Sequence, residues 1–353
     1  MPLFYIARMK LPTAIVLVCV PTALAGPCEP STTGTDSFFL GGVFDAVHTV
    51  VVNPYSGDAV EINESNALVP DRCYHGDDGN DFLFGSGFAD VLFELDARVP
   101  SPLLVEVENF FLSDGNDILI LANPMEPYVV SPPNTGVQAF GGAGNDILWL
   151  DATNDFVSGS TGNDIIDGGP GDDELFGDEG NDTVRGGDGD DSISGGSGVN
   201  LVSGDAGADV FMHAANEGVT TIREAPDGEI DTIDALVVST PDDFTYYRRG
   251  DDLIVEIAGG GKFIIEGQYS ERGRGVDELR YDEKQPPIDL RSVETILVGA
   301  CPTDLDGDCM TGAGDLATLL AAWGADGADL DGDSVTGASD LAIMLAAWGG
   351  CLD

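Results

Sequence analysis

The sequence predicts a mainly β protein of short stacked strands with a small α-helical domain at its C-terminal end. Three observations favour this fold class: a repeating nonapeptide over 141–212, alternating apolar and polar segments after it, and a duplicated unit beyond residue 300. Fixed periods of this kind indicate structural units that bury their apolar residues by stacking on one another.

Composition restricts the function before any motif is considered. The 353-residue chain has 63 acidic and 14 basic residues, which gives a formal charge of −49. Such a negative field repels phosphate groups and excludes nucleic acids and anionic membranes as partners. With 42% apolar residues the chain can still form a core. Its 48 glycines beside so many carboxylates suit tight turns that present oxygen atoms to hard cations such as Ca²⁺.

Residues 1–25 have the features of a signal peptide. Arg8 and Lys10 precede an apolar run over 11–20, and Ala-Leu-Ala at 23–25 follows it, with small residues at the two positions that a signal peptidase requires. The run is shorter than the about 20 residues that span a bilayer. We therefore expect an exported protein, extracellular or on the cell surface, whose mature chain has no transmembrane span.

Five cysteines remain after removal of that segment: Cys28, Cys73, Cys301, Cys309 and Cys351. An exported protein can keep disulfides. We expect Cys28 to pair with Cys73 and Cys301 with Cys351, which leaves Cys309 without an evident partner. Spacing does not determine connectivity, so other pairings stay open.

Residues 26–75 are predicted to form an N-terminal β-rich segment. Alternating residues over 43–52 and a strand near 59–62 carry this prediction. The segment is too short to be a typical catalytic domain.

The regular array divides into eight nonapeptides from Gly141 to Met212. Position 4 is glycine except at Thr153, and position 6 is aspartate except at Asn200. Six glycine-rich residues make a turn, because glycine adopts positive φ angles without steric cost. Three residues then make a strand whose middle side chain points inward. These apolar position-8 residues are Leu148, Val157, Ile166, Leu175, Val184, Ile193, Val202 and Phe211. A flexible Gly/Asp linker has no reason to keep them at every ninth position.

These repeats resemble the haemolysin-type calcium-binding (RTX) family, whose unit is G-G-x-G-x-D-x-U-x. The resemblance implies a parallel β-roll in which every second turn stacks on the one before and Ca²⁺ lies between them, held by carboxylate and carbonyl oxygens. The implied first ladder of ligands is Asp146, Asp164, Asp182 and Asn200. The implied second ladder is Asp155, Asp173, Asp191 and Asp209.

Two departures from the repeat weaken particular sites. The turn at 150–153 has lost its glycines, and Asn200 offers a neutral oxygen in place of a carboxylate. We expect these sites to bind calcium most weakly. Without calcium we expect 141–212 to be largely unfolded, because the aspartate ladders repel one another.

Residues 76–140 hold degenerate copies of the repeat with Pro-containing insertions over 94–111 and 121–140. The copies are GDDGNDFLF at 76–84, GSGFADVLF at 85–93 and LSDGNDILI at 112–120. Their candidate ligands are Asp81, Asp90 and Asp117. Because the insertions interrupt them, a separate short roll is an open alternative.

Residues 213–284 are predicted to be a β-rich capping region. Strand-like alternations at 244–248, 253–257, 262–266 and 278–281 carry this prediction. A parallel roll ends in an open edge that recruits another strand unless it is covered. A ligand-binding β-domain is the alternative. Residues 285–300, which open with Gln-Pro-Pro, are predicted to be a linker.

Residues 301–353 contain a duplicated unit in which 304–308 recurs as 329–333 and Trp323 recurs as Trp348. Carboxylates at loop positions 1, 3, 5 and 12 match an EF-hand calcium loop. The ligands expected are Asp304, Asp306, Asp308 and Asp315, then Asp329, Asp331, Asp333 and Asp340. Loop position 6, usually glycine, is Cys309 and Ser334, so we expect weak or strained binding.

Each copy continues with apolar residues at i, i+3, i+4 and i+7, which predicts one helix per copy. These residues are Leu316, Leu319, Leu320 and Trp323, then Leu341, Met344, Leu345 and Trp348. We expect both tryptophans in the core and Thr318 and Ile343 on outward faces. The unit resembles the type I dockerin module, which implies docking on a cohesin-like partner. Attachment to another cell-surface partner is the alternative.

Catalytic motifs are not evident in the sequence. The three histidines form no HExxH motif and no G-x-S-x-G elbow occurs, so zinc-protease and α/β-hydrolase chemistry are unsupported. We therefore expect a non-catalytic calcium-binding protein with a structural or adhesive role. The alternative is a component of an extracellular polysaccharide-degrading system that binds carbohydrate or acts on glycosides.

Overall fold

The structure is a computed structural model of the chain. It describes residues 37–40, 42–53, 55–57, 59–70, 74–75, 80–93, 104–122, 136–213, 218–224, 229–235, 240–249, 251–258, 260–269, 275–282, 284–291, 310–311, 313–321, 323, 336–346 and 349–350. The expected signal peptide and all cysteines lie outside these residues. No helix in the described ranges has the length and apolar character needed to cross a membrane.

Short β-strands dominate the described chain. In chain order they are β1 Ser37–Phe39, β2 Gly42–Val52, β3 Ala59–Pro70, β4 Tyr74–His75, β5 Phe82–Phe84, β6 Val91–Phe93, β7 Leu104–Val105, β8 Asn109–Phe111, β9 Ile118–Ile120, β10 Gln138–Ala143, β11 Ile147–Trp149, β12 Phe156–Thr161, β13 Ile165–Pro170, β14 Glu174–Phe176, β15 Thr183–Asp188, β16 Ser192–Ser194, β17 Val199–Ala206, β18 Val210–Met212, β19 Val219–Ile222, β20 Thr232–Asp234, β21 Phe244–Arg249, β22 Asp252–Ile257, β23 Lys262–Ile265, β24 Glu278–Arg280, β25 Ile288–Asp289, β26 Met310–Thr311 and β27 Gly349–Gly350. A 3₁₀ turn spans Pro241–Asp243, and two helices follow, α1 Ala313–Ala321 and α2 Ala338–Ala346.

Successive strands alternate between two large sheets. Sheet 1 has ten strands in the order β21-β22-β23-β19-β17-β15-β13-β11-β9-β6, and sheet 2 has eleven in the order β1-β5-β8-β10-β12-β14-β16-β18-β20-β24-β25. Neighbours in the array are parallel and two nonapeptides apart, as where Leu148 lies opposite Ile166 and Val157 opposite Leu175. This is the expected architecture of a parallel β-roll with two nonapeptides per coil.

The interior between the two sheets is a single column of apolar side chains. All eight position-8 residues of the array have at most 1% of their surface exposed. Leu83, Leu119 and Phe110 extend the column upstream, and Ile222 and Ile233 extend it downstream. The prediction that every ninth residue points inward is confirmed.

The degenerate copies do not form a separate roll. Strands β5 and β8 join sheet 2 next to β10, and strands β6 and β9 join sheet 1 next to β11. The alternative of a separate short roll is therefore wrong. The expected insertion over 94–111 is wrong at its end, because Asn109–Phe111 forms β8, a strand of the roll that pairs in register with β5 and β10.

The hairpin of β2 and β3 covers one outer face of the roll. Val51 and Ile62 of the hairpin pack with Ile118 and Trp149 on the outside of sheet 1, in a second, smaller core. Leu68 also bridges to Asp90 at the end strand of that sheet. The hairpin thus shields both apolar surface and an exposed strand edge.

The downstream end of each sheet changes from parallel to antiparallel pairing. In sheet 1, β23 pairs parallel with β19 and antiparallel with β22, which pairs with β21. In sheet 2, β25 pairs antiparallel with β24. The expected linker over 285–300 is therefore corrected, because Ile288 pairs with Leu279 and Leu290 is fully buried.

The described part of the C-terminal region consists of α1, α2 and the antiparallel pair β26–β27, in which Met310 lies opposite Gly350. The two helices occupy corresponding places in the two copies of the unit and contact each other. Leu319 is buried and Thr318 and Ile343 are exposed, but Trp323 is 48% exposed, which overturns its expected place in the core. Because α1 ends at Ala321, Trp323 lies in a turn beyond the helix and leaves the apolar face.

Candidate metal sites

The turns of the roll stack so closely that they require glycine at position 4. Gly162 has φ of +142°, and a Cβ there would lie 1.5 Å from the carbonyl oxygen of Gly144, one coil earlier. Gly180 repeats the relationship, with its Cβ position 1.4 Å from the carbonyl oxygen of Gly162. The carbonyls are therefore aligned in columns along the turns, where any larger residue would collide.

Position-6 aspartates form two ladders of hydrogen bonds. In each rung the backbone N–H donates to Oδ1 of the next rung, at 2.8 Å from Asp146 to Asp164 and 2.9 Å from Asp164 to Asp182. The second ladder does the same, at 2.7 Å from Asp155 to Asp173. Both ladders predicted from the spacing of two nonapeptides are brought together as expected.

The first ladder extends upstream into the degenerate copies. The N–H of Asp90 donates to Oδ1 of Asp117, and the N–H of Asp117 donates to Oδ1 of Asp146, both at 2.7 Å. Asp81 lies on the side of the second ladder, where its N–H donates to Oε2 of Glu108 at 2.7 Å. Asp90 and Asp117 thus continue the first ladder, whereas Val137, whose N–H donates to Oδ1 of Asp155, separates Asp81 and Glu108 from the second ladder.

The second oxygen of these carboxylates is buried and receives no hydrogen bond. This holds for Oδ2 of Asp117, Asp146, Asp155, Asp164, Asp173, Asp182 and Asp191. In the regular turns it lies over the position-1 glycine: a Cβ at Gly159 would be 2.4 Å from Oδ2 of Asp164. A buried anionic oxygen without a donor is costly, so its environment calls for a cation or a proton.

The pKa values of these carboxylates are raised because the charged form is buried. Burial, with a smaller contribution from the charges of neighbouring aspartates, raises the pKa of Asp164 to about 7 and that of Asp191 to about 8, although each carboxylate accepts a backbone N–H. For Asp173, burial and then the charge of Asp155 raise the pKa to about 9. Burial and then the charge of Asp151 raise the pKa of Asp155 well above its usual range. In the absence of a cation, the ladders thus favour protonated carboxyls.

Position 5 forms a further ladder that the sequence analysis missed. The N–H of Asn163 donates to Oδ1 of Asn145, and that of Asn181 to Oδ1 of Asn163, both at 2.8 Å. Asp172 and Asp190 do the same on the other side at 3.0 Å. These exposed side chains bond to the rung one coil later, in the direction opposite to the aspartate ladders. The recurrence of Asn or Asp before position 6 was the signal.

The ladders end at residues of different chemistry. Asn200 accepts the N–H of Asp182 at 2.9 Å, while its Nδ2 donates to the carbonyl of Gly196 at 3.0 Å. The carbonyl oxygen of Gly196 therefore already accepts a hydrogen bond from this side-chain amide. The second ladder continues past Asp209, whose N–H donates to Oδ1 of Asp231 at 3.1 Å.

Glu108 and Asp231 were missed because they lie outside the nonapeptide spacing. Each is an acidic residue followed two positions later by a buried apolar one, Phe110 and Ile233. That local pattern was the available signal.

The candidate ligands of the C-terminal unit are only partly described. Asp315 and Asp340 lie at corresponding places in α1 and α2. Asp304, Asp306, Asp308, Asp329, Asp331 and Asp333 lie outside the described residues.

Comparison with known proteins agrees with the roll. Residues 75–93, 138–157, 150–184 and 176–211 match the RTX calcium-binding nonapeptide repeat. The chain carries RTX repeats. No curated protein matches the sequence. A crystal structure of extracellular lipase LipA from Serratia marcescens is 14% identical, with a TM-score of 0.24; the match covers 70% of this chain and 39% of the lipase chain.

The RTX turns fit a hard cation such as Ca²⁺. Carboxylate oxygens without donors and stacked carbonyls are the oxygen ligands that Ca²⁺ accepts. In the described ranges, no three acidic, histidine or cysteine side chains already gather as a metal cluster. A site built from one carboxylate per turn and backbone carbonyls does not need one.

Proposed function

We propose that this chain is an exported, non-catalytic calcium-binding protein with a structural or adhesive role, whose RTX roll folds when calcium binds. The row of buried Oδ2 atoms along the two ladders carries the proposal. The ligands proposed are the position-6 residues of the array, together with Asp81, Asp90 and Asp117 upstream. Calcium neutralises the ladders of a chain whose formal charge is −49.

Calcium dependence also determines on which side of the membrane the roll folds. Extracellular calcium modules bind with dissociation constants of about 10⁻⁴–10⁻³ M. At such affinities the roll is unfolded where calcium is scarce and folds outside the cell. RTX repeats and the expected export segment together support an extracellular location.

The experiment is a calcium titration of the full mature chain followed by circular dichroism, with chelator as the reference. The double variant D173N and D191N removes two buried carboxylates and should weaken the calcium-induced β signal. Its matched control is D172N and D190N, which removes the same charge from exposed position 5 and introduces a residue that other repeats carry there. An equal β signal in chelator and in millimolar calcium would refute the proposal.

The C-terminal unit is proposed to be a dockerin-like attachment module. Exposed apolar side chains on its helices support this role: Leu320 is 52% exposed, Leu345 is 54% exposed and Ile343 is 37% exposed. Apolar side chains of this kind are typical of interaction surfaces. Capture of a cohesin-like or cell-surface partner by the full chain in calcium, and its release by chelator, tests the role.

A further inference from the structure

The turn at 150–155 differs from every other turn of the regular array. Leu150 replaces the position-1 glycine and is buried in the interior column. Asp151 stands at position 2, where four of the eight turns have glycine and three have aspartate, and has no exposed surface. The backbone at Asp151 also differs from that at the other two position-2 aspartates. Asp178 and Asp205 have positive φ angles, and their side chains are half-exposed.

The carboxylate of Asp151 points into the same turn as that of Asp155. The hydroxyl of Thr153 lies 2.8 Å from Oδ1 of Asp151 and 2.7 Å from Oδ1 of Asp155. A hydroxyl carries one proton and can donate to only one of them. The Oδ2 atoms of both carboxylates are buried and receive no hydrogen bond.

We propose that Asp151 is an extra calcium ligand outside the repeat pattern, and that the site it shares with Asp155 and the Asp173 rung is the tightest in the roll. The inference rests on the proposed function. Two carboxylates from one turn then face the ion, where the turns at 159–164 and 177–182 each supply one. Calcium affinity rises with the number of charged ligands. Loss of the turn glycines is thus compensated, and the expectation that this site binds most weakly is reversed.

A tryptophan close to the site allows Tb³⁺ bound there to be detected by its luminescence. Trp149 lies two residues before Asp151, so their Cα atoms are at most about 7 Å apart. A Tb³⁺ ion bound by Asp151 is therefore close enough to be sensitised by this tryptophan. The difference between parent and W149F isolates that emission from any contribution of Trp323 and Trp348.

The test combines Tb³⁺ luminescence with calcium competition on the full chain. In the parent, Trp149-sensitised emission should reach most of its final intensity within the first equivalent of Tb³⁺. In D151N it should need about 10- to 100-fold more Tb³⁺, and calcium should displace the ion correspondingly more easily. D172N is the matched control, because it removes one charge from an exposed residue of the following turn; its emission should follow the parent.

The outcomes separate the two proposals. If the parent binds calcium but D151N and D172N behave alike, the role of Asp151 is refuted while the calcium roll stands. If the parent binds no calcium at all, the proposed function itself fails. If D151N does not reach the parent's β signal in saturating calcium, this variant is not correctly folded. The test then rests on the parent, whose Trp149-sensitised emission must reach most of its final intensity within the first equivalent of Tb³⁺. Emission that rises only after several equivalents have bound elsewhere would overturn the inference.

Discussion

The backbone N–H of Asp173 donates to Oδ1 of Asp191 at 2.8 Å, while Oδ2 of Asp191 is buried without a donor. One oxygen of each carboxylate therefore joins neighbouring coils, and the other is left for a cation. Folding and cation binding use the same side chain. The roll cannot place its turns in register without also creating the sites that repel one another when empty.

The metal-free roll should be more stable in acid than at neutral pH. Burial raises the pKa of Asp146 to about 6, that of Asp164 to about 7 and that of Asp173 to about 9, against 3.8 for an ordinary aspartate. The folded state therefore binds more protons than the unfolded state between about pH 4 and 9, and the free energy of unfolding falls as pH rises through that window.

Circular dichroism in chelator measures this effect. We expect a larger β signal from the roll at pH 5 than at pH 8, where the metal-free roll is largely unfolded. Exposed carboxylates titrate near pH 4, so a general charge effect would appear only below pH 5. With calcium present the sign reverses, since protons compete for the ligands and apparent calcium affinity rises with pH. A metal-free β signal that is unchanged or larger at pH 8 would contradict the prediction.

Substitution of Gly162 by alanine should destabilise the calcium-bound roll by about 2–4 kcal/mol, because the new Cβ meets the Gly144 carbonyl at a positive φ angle. Gly87→Ala is the control, since nothing lies within 4 Å of a Cβ there. Urea unfolding in saturating calcium measures both. Equal loss in the two variants would show that the turn stacking does not set the requirement for glycine.

Asn200→Asp should add a calcium ion to the roll. The change removes the amide that now donates to the Gly196 carbonyl and supplies a carboxylate at the end of the first ladder. Equilibrium dialysis should find about one more ion per chain, and the variant should be less stable than the parent in chelator. Asn181→Asp is the control, because this exposed position-5 side chain accepts the Val199 N–H and carries Asp in other repeats. The same stoichiometry in parent and N200D would refute the prediction.

The sequence predicted the parts of the fold that repeat with every nonapeptide and with every coil. Val157 opposite Leu175 follows from that period alone. It could not predict that β1 pairs with β5, because no period links Ser37 with Phe82. Nor did it reveal the half-buried stack of phenylalanines on the outside of sheet 2, where the rings of Phe111 and Phe140 lie 4.8 Å apart. Such contacts depend on long connections whose length leaves no pattern in the sequence.

The site was predictable to the same extent. The position-6 aspartates were predicted from their spacing, whereas Asp151 was interpreted only as part of a turn that has lost its glycines. Its contribution depends on the local backbone, which three-dimensional structure alone provides. The apolar stripe of the C-terminal unit was also predicted only in part: Leu319 is buried, but Leu320 and Leu345 are exposed within their helices, and Trp323 lies beyond the end of α1 at Ala321.

A disulfide between Cys309 and Cys351 is the last prediction. Met310 lies opposite Gly350 and Thr311 opposite Gly349 in the antiparallel pair β26–β27. Extending this register by one residue at each end, beyond the described residues, predicts that Cys309 and Cys351 lie opposite each other. Opposite Cα atoms in antiparallel strands are about 4.5–5.5 Å apart, which suits a disulfide.

We therefore predict Cys309, in place of Cys301, as the partner of Cys351, which would leave Cys301 as the unpaired thiol of the unit. Peptide mapping of the unreduced mature chain should recover Cys309 linked to Cys351. The linkage should survive in C301S and be lost in C309S, whose free energy of unfolding in calcium should fall by about 2–4 kcal/mol. Recovery of Cys301 linked to Cys351 in the parent, with Cys309 open to alkylation, would contradict the register argument.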